Sequence, residues 1–348
     1  MGYRVEIANI DHALIGLSGE TILDTLQRCG YGLRTSCRNG VCEICEVQLL
    51  YGDIIQRYPE KHLSLKEHNK EGGVNVLACT CIPQTDIRVN IEGILLPGEL
   101  PVKKLLCDIA AVKKLNSDVF QVNLHLPATA SLAAEFYAGQ YLDIILPDGK
   151  QASFSIGSAP DNGRDLELHI RHVPESEMSC AIVTHLQTEK TVEIELPKGD
   201  CYLNASAIKP DTRLIFAAAS TGFAQVKSVV EHLLANQLKN DIHIYWGARV
   251  EEDMYFESLP IQWEKDFENV HFVPVVSEPE NSPEWSGRVG LLPTAVLEDY
   301  SDFENVEVFA SGSPAMVYAL LDACETKGFA ETHMHSDVFA YAPRPEKS

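Results

Sequence analysis

Short alternating runs of hydrophobic and polar residues fill roughly the first 208 positions, and longer amphipathic runs replace them afterwards. Alternation is typical of half-buried strands, because successive side chains of a strand point to opposite faces of the sheet. In the N-terminal part, these runs and the turn residues between them predict strands over 3–10, 46–50 and 86–91, a short helix over 19–27 and a turn at 51–53.

Six more alternating runs lie between residues 104 and 208, each bounded by turn residues. Six strands at this spacing predict a small antiparallel barrel. The predicted strands cover 107–113, 119–126, 140–146, 152–158, 166–172 and 191–196.

Beyond residue 209, strand-like runs alternate with helical runs, which predicts a parallel sheet with helices on both faces. The predicted strands cover 213–218, 241–246, 270–276 and 306–310, and the predicted helices cover 222–236, 255–267, 291–297 and 315–326. Residues 92–101 contain two prolines and two glycines without any period, which is typical of a linker. We therefore predict a multidomain protein of the α+β and α/β classes, with domains over 1–93, 104–208 and 209–348 and a linker over 94–103.

The composition is that of an acidic globular protein. Of 348 residues, 45% are hydrophobic and 22% charged, with a net charge of -22. So strong a negative balance argues against nucleic acid as a partner, because phosphate backbones are bound by clustered Lys and Arg. No apolar run approaches the length of a membrane span, and the N-terminus lacks the pattern of a signal peptide, so we expect a cytoplasmic protein without membrane insertion.

Ten cysteines in a cytoplasmic protein favour metal binding over disulfides. Cys37, Cys42 and Cys45 are separated by four and two residues, and Cys79 follows after 33 more. This is the spacing with which plant-type ferredoxins hold a 2Fe-2S cluster. Structural zinc is the rival, although zinc sites usually pair two short ligand elements. Cys81 competes with Cys79 as the fourth ligand.

Several short motifs follow one another beyond residue 104, namely Ala138-Gly139-Gln140-Tyr141-Leu142, Phe154-Ser155-Ile156, Glu167-Leu168-His169-Ile170, Thr221-Gly222-Phe223, 244–249 and 336–341. Together they resemble the NAD(P)H-flavin reductases over 104–343. With the N-terminal cysteine motif, nearly the whole chain resembles the ferredoxin-NADP reductase superfamily with an N-terminal plant-type ferredoxin domain. That architecture occurs in the reductase components of bacterial oxygenases and in deoxysugar-forming reductases.

The resemblance implies a β-grasp ferredoxin domain, an antiparallel flavin-binding barrel and a parallel-sheet nucleotide-binding domain. It places Phe154, Ser155 and Ile156 at the flavin, with the Ser155 hydroxyl near N5. Two departures from the family weaken the expected FAD site. Ala152 replaces an arginine, and carboxylates stand in 175–179 where a Gly-rich turn would face the pyrophosphate. We therefore expect weakly held FAD, bound through Arg171, Ser179 and backbone donors.

For NADH or NADPH, the resemblance implies a binding turn at Thr221 and Gly222, two glycines short of the family pattern. Arg249 and Arg288 are candidate contacts to adenosine or phosphate, and they do not distinguish the two nucleotides. Ser311, where relatives have Cys, would face the nicotinamide.

At the C-terminal end, Asp337 and Phe339, together with Tyr341, match the segment that covers the flavin in relatives. The alternative is an edge strand with ordinary packing. Ser155, Ser311 and Asp337 are the catalytic candidates. In the cysteine loop, Glu43 stands where relatives have Gly or Ser, and its charge should make the cluster potential more negative.

The predicted function is an NAD(P)H-dependent electron-transfer reductase that passes electrons through flavin and a 2Fe-2S cluster to a partner oxygenase or dehydratase. Flavin is needed because nicotinamide gives up two electrons together and the cluster accepts one. Two alternatives stay open, a free-flavin reductase and a redox-sensing protein without turnover. We expect a monomer.

Overall fold

A computed structural model describes residues 2–35, 37–65, 73–128, 135–203 and 208–345 of the chain. It divides into two compact units, Met1–Pro101 and Val102–Ser348. Within the described ranges, no helix is both long enough and apolar enough to cross a bilayer.

The first unit is a mixed sheet packed against one short helix, which confirms the β-grasp prediction. Its strands follow the order β2-β1-β7-β3-β4, with β5 and β6 also paired to β3, and β1 runs parallel to β7. Thr21 begins the helix with a capping box to Asp24. The elements are β1 Tyr3–Ile7, β2 His12–Gly16, α1 Ile22–Arg28, β3 Glu46–Arg57, β4 Glu60–Leu65, β5 Val74–Leu77, β6 Cys81–Pro83 and β7 Ile87–Asn90.

The turn predicted at 51–53 is wrong, because β3 continues through it to Arg57. Pairing between β3 and β7 shifts register between Leu49 and Tyr51, which marks a bulge. Gly52 lies there with φ of +102°, and a Cβ on it would come within 2.4 Å of the Asp86 carbonyl oxygen. The glycine therefore permits a bulge and a close backbone approach instead of a chain reversal.

Part of the predicted linker belongs to the first unit. The backbone N–H of Leu95 donates to the carbonyl oxygen of Gly32, and that of Gly32 donates back to Leu95, both at 2.9 Å. Ile94 packs against the hydrophobic core of the unit. The segment is therefore anchored next to the loop that follows α1.

The second unit begins with an antiparallel six-stranded barrel, and all six predicted strands are present. The strand order is β11-β10-β13-β8-β9-β12. A bridge between Ile156 and Leu168 joins the two outer strands, and Gly157 N–H donates to the Glu167 carbonyl at 2.7 Å. The barrel elements are β8 Lys103–Lys114, β9 Val119–His125, β10 Tyr141–Ile145, β11 Gln151–Ser155, β12 Asp165–Arg171, α2 Glu177–Thr188 and β13 Thr191–Lys198.

The remainder of the second unit is a parallel sheet with the strand order β17-β16-β15-β14-β18-β19. Neighbouring residues on β15 face opposite cores, since Trp246 lies in the core under α3 and α4 while Tyr245 lies in the core under α5 and α6. The elements are β14 Arg213–Ala219, α3 Phe223–Ala235, β15 Ile242–Ala248, α4 Ser258–Asp266, β16 Val270–Val276, β17 Arg288–Val289, α5 Leu292–Asp299, β18 Val306–Ser311, α6 Pro314–Glu325, β19 Met334–His335 and α7 Val338–Tyr341.

The alternative of a C-terminal edge strand is wrong, because the segment after Asp337 forms the one-turn helix α7. Val338 is buried in the core beneath the sheet, and Tyr318 donates its hydroxyl to the carbonyl oxygen of Ala342. These contacts attach the segment to α6 and leave its other side facing the barrel.

Candidate functional site

A cleft of about 840 Å³ lies between the barrel and the carboxyl ends of the parallel strands. Open α/β sheets bind ligands at this edge, and the volume falls within the range of cofactor sites. Of the predicted residues, the cleft is lined by Phe154, Ser155, Arg171, Thr221, Gly222, Ser311 and Asp337.

The barrel contributes strand β11 to the cleft. Phe154 and Ser155 line it, whereas Ile156 is fully buried in the barrel core and donates its backbone N–H to the Gln140 carbonyl at 3.1 Å. Ile156 therefore supports the strand from behind. Ala152, which replaces the family arginine, packs against the same core.

The sheet contributes a tight turn at the start of α3. Residues Ser220–Gly222 form a short 3-10 turn, and Ser220 adopts a left-handed φ of +52°. The Ser220 carbonyl accepts the indole N–H of Trp246 at 3.0 Å, which fixes the turn to the core. A Cβ on Gly222 would come within 2.3 Å of the Ser311 carbonyl oxygen. Two residues predicted to bind the nucleotide thus touch each other, and only glycine fits at position 222.

Arg171 lies in the cleft but is already engaged by protein groups. It donates to Asp118 at 2.7 Å and to the Ser220 hydroxyl at 3.0 Å, and it lies 3.7 Å from Asp253. Ser179 is also occupied, since its hydroxyl accepts from Val173 N–H and donates to the Arg171 carbonyl. The pair joins the start of α2 to the barrel.

The two arginines predicted to contact adenosine or phosphate differ in how tightly ion pairs hold them. Arg249 is two-thirds exposed, and its nearest ion pair is with Asp253 at 3.8 Å. Arg288 is held by Asp299 through contacts of 2.5 and 2.7 Å. Arg249 is therefore free to meet a phosphate, whereas Arg288 anchors α5.

Asp337 is a buried carboxylate at the edge of the cleft. Gln225 donates its amide to Asp337 at 2.8 Å, and Cys201 donates its backbone N–H. Burial outweighs these bonds and raises the pKa of Asp337 to about 6. Such a group can hold or release a proton near neutral pH, which is the property a proton-transfer residue requires.

Phe339 does not line the cleft. Its ring packs 5.6 Å from that of Tyr318, on the side of the sheet core. The aromatic side chain of α7 that reaches the cleft is Tyr341, which is 66% exposed. The one-turn helix places these two residues on different sides, whereas an extended strand would have put both on the same face because they are two positions apart.

Sequence reasoning missed a buried polar network under the cleft. His169 lines the cleft with a fully buried ring, with Nε2 2.7 Å from Glu167 and Nδ1 3.0 Å from the Tyr255 hydroxyl. Lys227 of α3 lies 3.3 Å from Glu167 and 3.0 Å from Glu231. The signal available in the sequence was a histidine on the face of β12 opposite to Leu168 and Ile170, which pack in the barrel core.

Hydrogen bonds and one lysine charge stabilise the buried Glu167 carboxylate in this network. Burial lowers the pKa of His169, so the ring is neutral and donates from Nε2 to Glu167. Burial alone would raise the pKa of Glu167, but the His169 hydrogen bond and the charge of Lys227 lower it. Lys227 also donates to the Gly157 carbonyl at 3.1 Å. The network therefore joins α3 of the sheet to the barrel, directly behind the cleft.

The four predicted cysteines converge in the first unit. Cys42 donates its backbone N–H to the Cys37 sulfur at 3.3 Å, and its thiol also hydrogen-bonds that sulfur. The thiol of Cys79 donates to the sulfur of Cys45. The sulfurs thus meet as two pairs, one half-buried and one buried.

This paired arrangement suits two irons better than one zinc. Among the described residues, no three of these sulfurs lie within 4.8 Å of one another. A single tetrahedral zinc with bonds of about 2.3 Å would need all four sulfurs closer than about 4 Å. Backbone N–H groups of Asn39, Cys42 and Val41 lower the pKa of Cys37 to about 6, which favours the thiolate that a cluster requires.

Cys81 is not part of either pair. Its thiol donates to the side-chain oxygen of Gln56 at 3.4 Å, and burial raises the pKa of Cys81 to about 12. Gln56 also accepts the backbone N–H of Leu77 at 2.8 Å. Cys81 is therefore a buried, hydrogen-bonded thiol that shares Gln56 with Leu77, the last residue of β5 before Cys79.

Three family models match the chain in order. They are a 2Fe-2S iron-sulfur cluster binding domain over 14–84, an oxidoreductase FAD-binding domain over 106–202 and an oxidoreductase NAD-binding domain over 216–322. The matched ranges contain the paired cysteines, the barrel side of the cleft and the sheet side of the cleft respectively. The residues present therefore fit a 2Fe-2S cluster, FAD and NAD(P)H.

Curated relatives match over nearly the whole chain. Protein RfbI of Salmonella typhimurium is 34% identical over 97% of both chains. A CDP-6-deoxy-L-threo-D-glycero-4-hexulose-3-dehydrase reductase of Yersinia pestis is 31% identical over 92% of this chain and 93% of the relative. Reductase component 1 of a Comamonas terephthalate 1,2-dioxygenase is 31% identical over 99% of both.

A solved structure shares the fold. The Amycolatopsis cytochrome P450 reductase GcoB aligns over 96% of this chain and 98% of its own, with a TM-score of 0.63 and 24% identity.

Proposed function

We propose which kind of protein accepts electrons from this chain. The chain belongs to the ferredoxin-NADP reductase superfamily and has its own 2Fe-2S domain. The chain is an NAD(P)H-dependent iron-sulfur flavoprotein oxidoreductase that passes electrons from NAD(P)H to the cluster. The proposed acceptor is a separate protein, an oxygenase component or a dehydratase. The supporting observation is that relatives of both kinds, with similar identity, align over nearly the full length.

The cleft divides its tasks between the barrel and the sheet. When bound, FAD converts the two-electron donation of the nicotinamide into the one-electron transfers that the cluster requires. We assign Phe154 to flank the flavin ring and Ser155 to hydrogen-bond it. Thr221 and Gly222 admit the nicotinamide nucleotide to the backbone at the start of α3. These roles are proposals from the cleft lining.

Three more residues complete the proposed site. Ser311 forms a small polar wall beside the nicotinamide, since it lines the cleft and touches Gly222. Asp337 holds a proton at its carboxylate, with Gln225 fixing its orientation. Arg249, as an exposed cation on the loop after β15, contacts a phosphate of the nucleotide.

The charge in the cleft supports weak retention of FAD. The carboxylate of Asp200 lines the cleft, while Arg171, a cation in the lining, is already paired with Asp118. Ala152 adds no charge where relatives have arginine. These observations favour a second candidate, a reductase of free flavin, in which FAD enters and leaves as a substrate.

We further propose a monomeric, cytoplasmic protein with domains over 104–208 and 209–348 and a first domain that extends beyond residue 93 to include Ile94 and Leu95. NADH and NADPH are both candidates as the donor.

The test measures NAD(P)H-driven reduction of candidate acceptors by the full chain loaded with FAD and cluster. Purified oxygenase and dehydrase components are the probes, and Cys79→Ser, which removes a cluster ligand, is the matched control. The proposal requires acceptor reduction that wild type performs and Cys79→Ser does not. Saturable turnover of added FAD, equal in both proteins and without acceptor reduction, would instead establish a free-flavin reductase. Absence of any NAD(P)H oxidation would indicate a redox sensor.

A further inference from the structure

Three metal-ligating side chains meet at the edge of the parallel sheet remote from the cleft. Asp241, His243 and His271 each offer one ligand atom, and these atoms all lie within 4.8 Å of one another. The cleft residues stand at the carboxyl ends of the strands, whereas this cluster stands at their beginnings. A strand of seven residues separates the two edges by about 20 Å.

The sheet itself brings these side chains together. His243 and His271 are register partners on the adjacent parallel strands β15 and β16, so their side chains project from the same face. Their rings lie 4.7 Å apart. Asp241 precedes His243 by two residues and therefore projects from that face as well. The convergence depends on strand pairing and requires no loop to move.

The distances are those of ligands around one ion. The carboxylate oxygens of Asp241 lie 3.0 Å from His243 Nε2 and 3.2 Å from His271 Nε2. In a tetrahedral zinc site with bonds of about 2.0–2.1 Å, neighbouring ligand atoms lie about 3.3 Å apart. Among the described residues, the buried Nε2 of His243 has no partner with hydrogen-bond geometry, despite its nearness to Asp241.

We propose that Asp241, His243 and His271 form a binding site for a divalent transition-metal ion, zinc being the ion that the ligand set fits best. Two imidazole nitrogens and one carboxylate are typical of zinc sites that leave a fourth position open. Asp241 and His271 are 40% and 46% exposed, so an ion can enter from solvent.

Arg213 competes with the ion for the same carboxylate. Its guanidinium lies 2.9 Å from Asp241 and 5.4 Å from the ring centre of Tyr300. Its positive charge beside Asp241 opposes the binding of a second cation there. The Arg213–Asp241 pair is half-exposed, and ion pairs of this kind contribute little free energy. We therefore expect Arg213 to lower the zinc affinity only severalfold.

The experiment measures zinc bound per chain by equilibrium dialysis of the FAD- and cluster-loaded protein, with iron counted in the same samples. Wild type should bind one zinc per chain. The His271→Ala and Asp241→Asn substitutions should each weaken this zinc binding at least about tenfold. Arg213→Gln should tighten binding severalfold because it removes the competing cation. Visible absorption of flavin and cluster shows that each variant is folded.

The chain provides a matched control with the same ligand types. Glu307 contacts both His333 and His335 at 2.8 Å, but this trio does not converge within 4.8 Å. His335→Ala should therefore leave zinc binding unchanged. Equal zinc binding by wild type and His271→Ala, or zinc uptake matched by loss of iron, would overturn the proposal, because the cysteines would then hold the metal.

Discussion

Gly222 and Ser311 approach so closely that a Cβ on the glycine would lie 2.3 Å from the serine carbonyl oxygen. Gly222 has an ordinary helical φ of -56°, so space and not backbone conformation requires glycine there. The contact joins the turn that begins α3 to the end of β18, the two segments that form the sheet side of the cleft.

Gly222→Ala should therefore disturb both stability and nucleotide binding. Overpacking of this kind costs about 1–3 kcal/mol of the free energy of unfolding. The displaced turn should raise KM for NAD(P)H about tenfold, equivalent to about 1.4 kcal/mol. Gly149→Ala is the control, because its φ of +84° is strained while nothing lies within 4 Å of the added Cβ. It should lower Tm and leave KM unchanged; equal KM effects in both variants would contradict the role of this contact.

Asp337 should make stability depend on pH. Its pKa is raised to about 6, above the value of about 3.9 in an unfolded chain, so the native state binds the proton more tightly. Stability conferred by the protonated form is present below pH of about 4 and is lost as the pH rises through about 6, by on the order of 2–3 kcal/mol.

Asp337→Asn should remove this loss. The free energy of unfolding of the variant, measured by urea titration, should rise relative to wild type between pH of about 4 and about 7. Asp108→Asn, at an exposed position, serves as the control. If the free energy of unfolding of Asp337→Asn relative to wild type stays constant or falls over this pH range, Asp337 is not a buried carboxyl with a raised pKa.

The roles of Cys79 and Cys81 can be separated by serine substitution. Cys79→Ser removes one member of a sulfur pair, so the visible absorption and the iron content of about two per chain should be lost. Cys81→Ser keeps a hydroxyl that can donate to Gln56 and should retain both. The reverse outcome, with iron lost only from Cys81→Ser, would make Cys81 the fourth ligand.

Much of the architecture could be predicted because each barrel strand is short, alternates and is bounded by turn residues. The six strands and the four parallel strands that follow them were all located this way. The β3 bulge was missed because Gly52 reads as a turn residue, and its actual reason, close approach to Asp86, involves a strand more than thirty residues away. Local patterns carry no information about such neighbours.

The same limit applies to the site. The motif order located Ser155, Thr221 and Gly222 in the cleft, since each belongs to a strand end or helix start. The sequence could not show that Arg171 is engaged by Asp118 or that Lys227 meets Glu167, because these partners come from distant elements. The orientation of Phe339 depended on whether its segment was helix or strand.

Glu43 should lower the potential of the cluster. It is exposed within the cysteine loop and adopts a left-handed φ of +60°, where glycine is preferred. Glu43→Gln removes the charge alone, and Glu43→Gly also removes the backbone strain of the left-handed conformation. Both should raise the midpoint potential by similar amounts, on the order of tens of mV, measured by redox titration. Glu92→Gln, outside the loop, is the control; a lower potential in either Glu43 variant would contradict the electrostatic explanation.

Anaerobic rapid mixing measures whether this one chain carries electrons from NAD(P)H to its own cluster. FAD-loaded protein mixed with NADH or NADPH should lose flavin absorption and then develop the paramagnetic signal of a reduced 2Fe-2S cluster. Cys79→Ser should show the first change without the second. Flavin that stays oxidised with both nucleotides, in protein shown to contain FAD and cluster, would contradict the account.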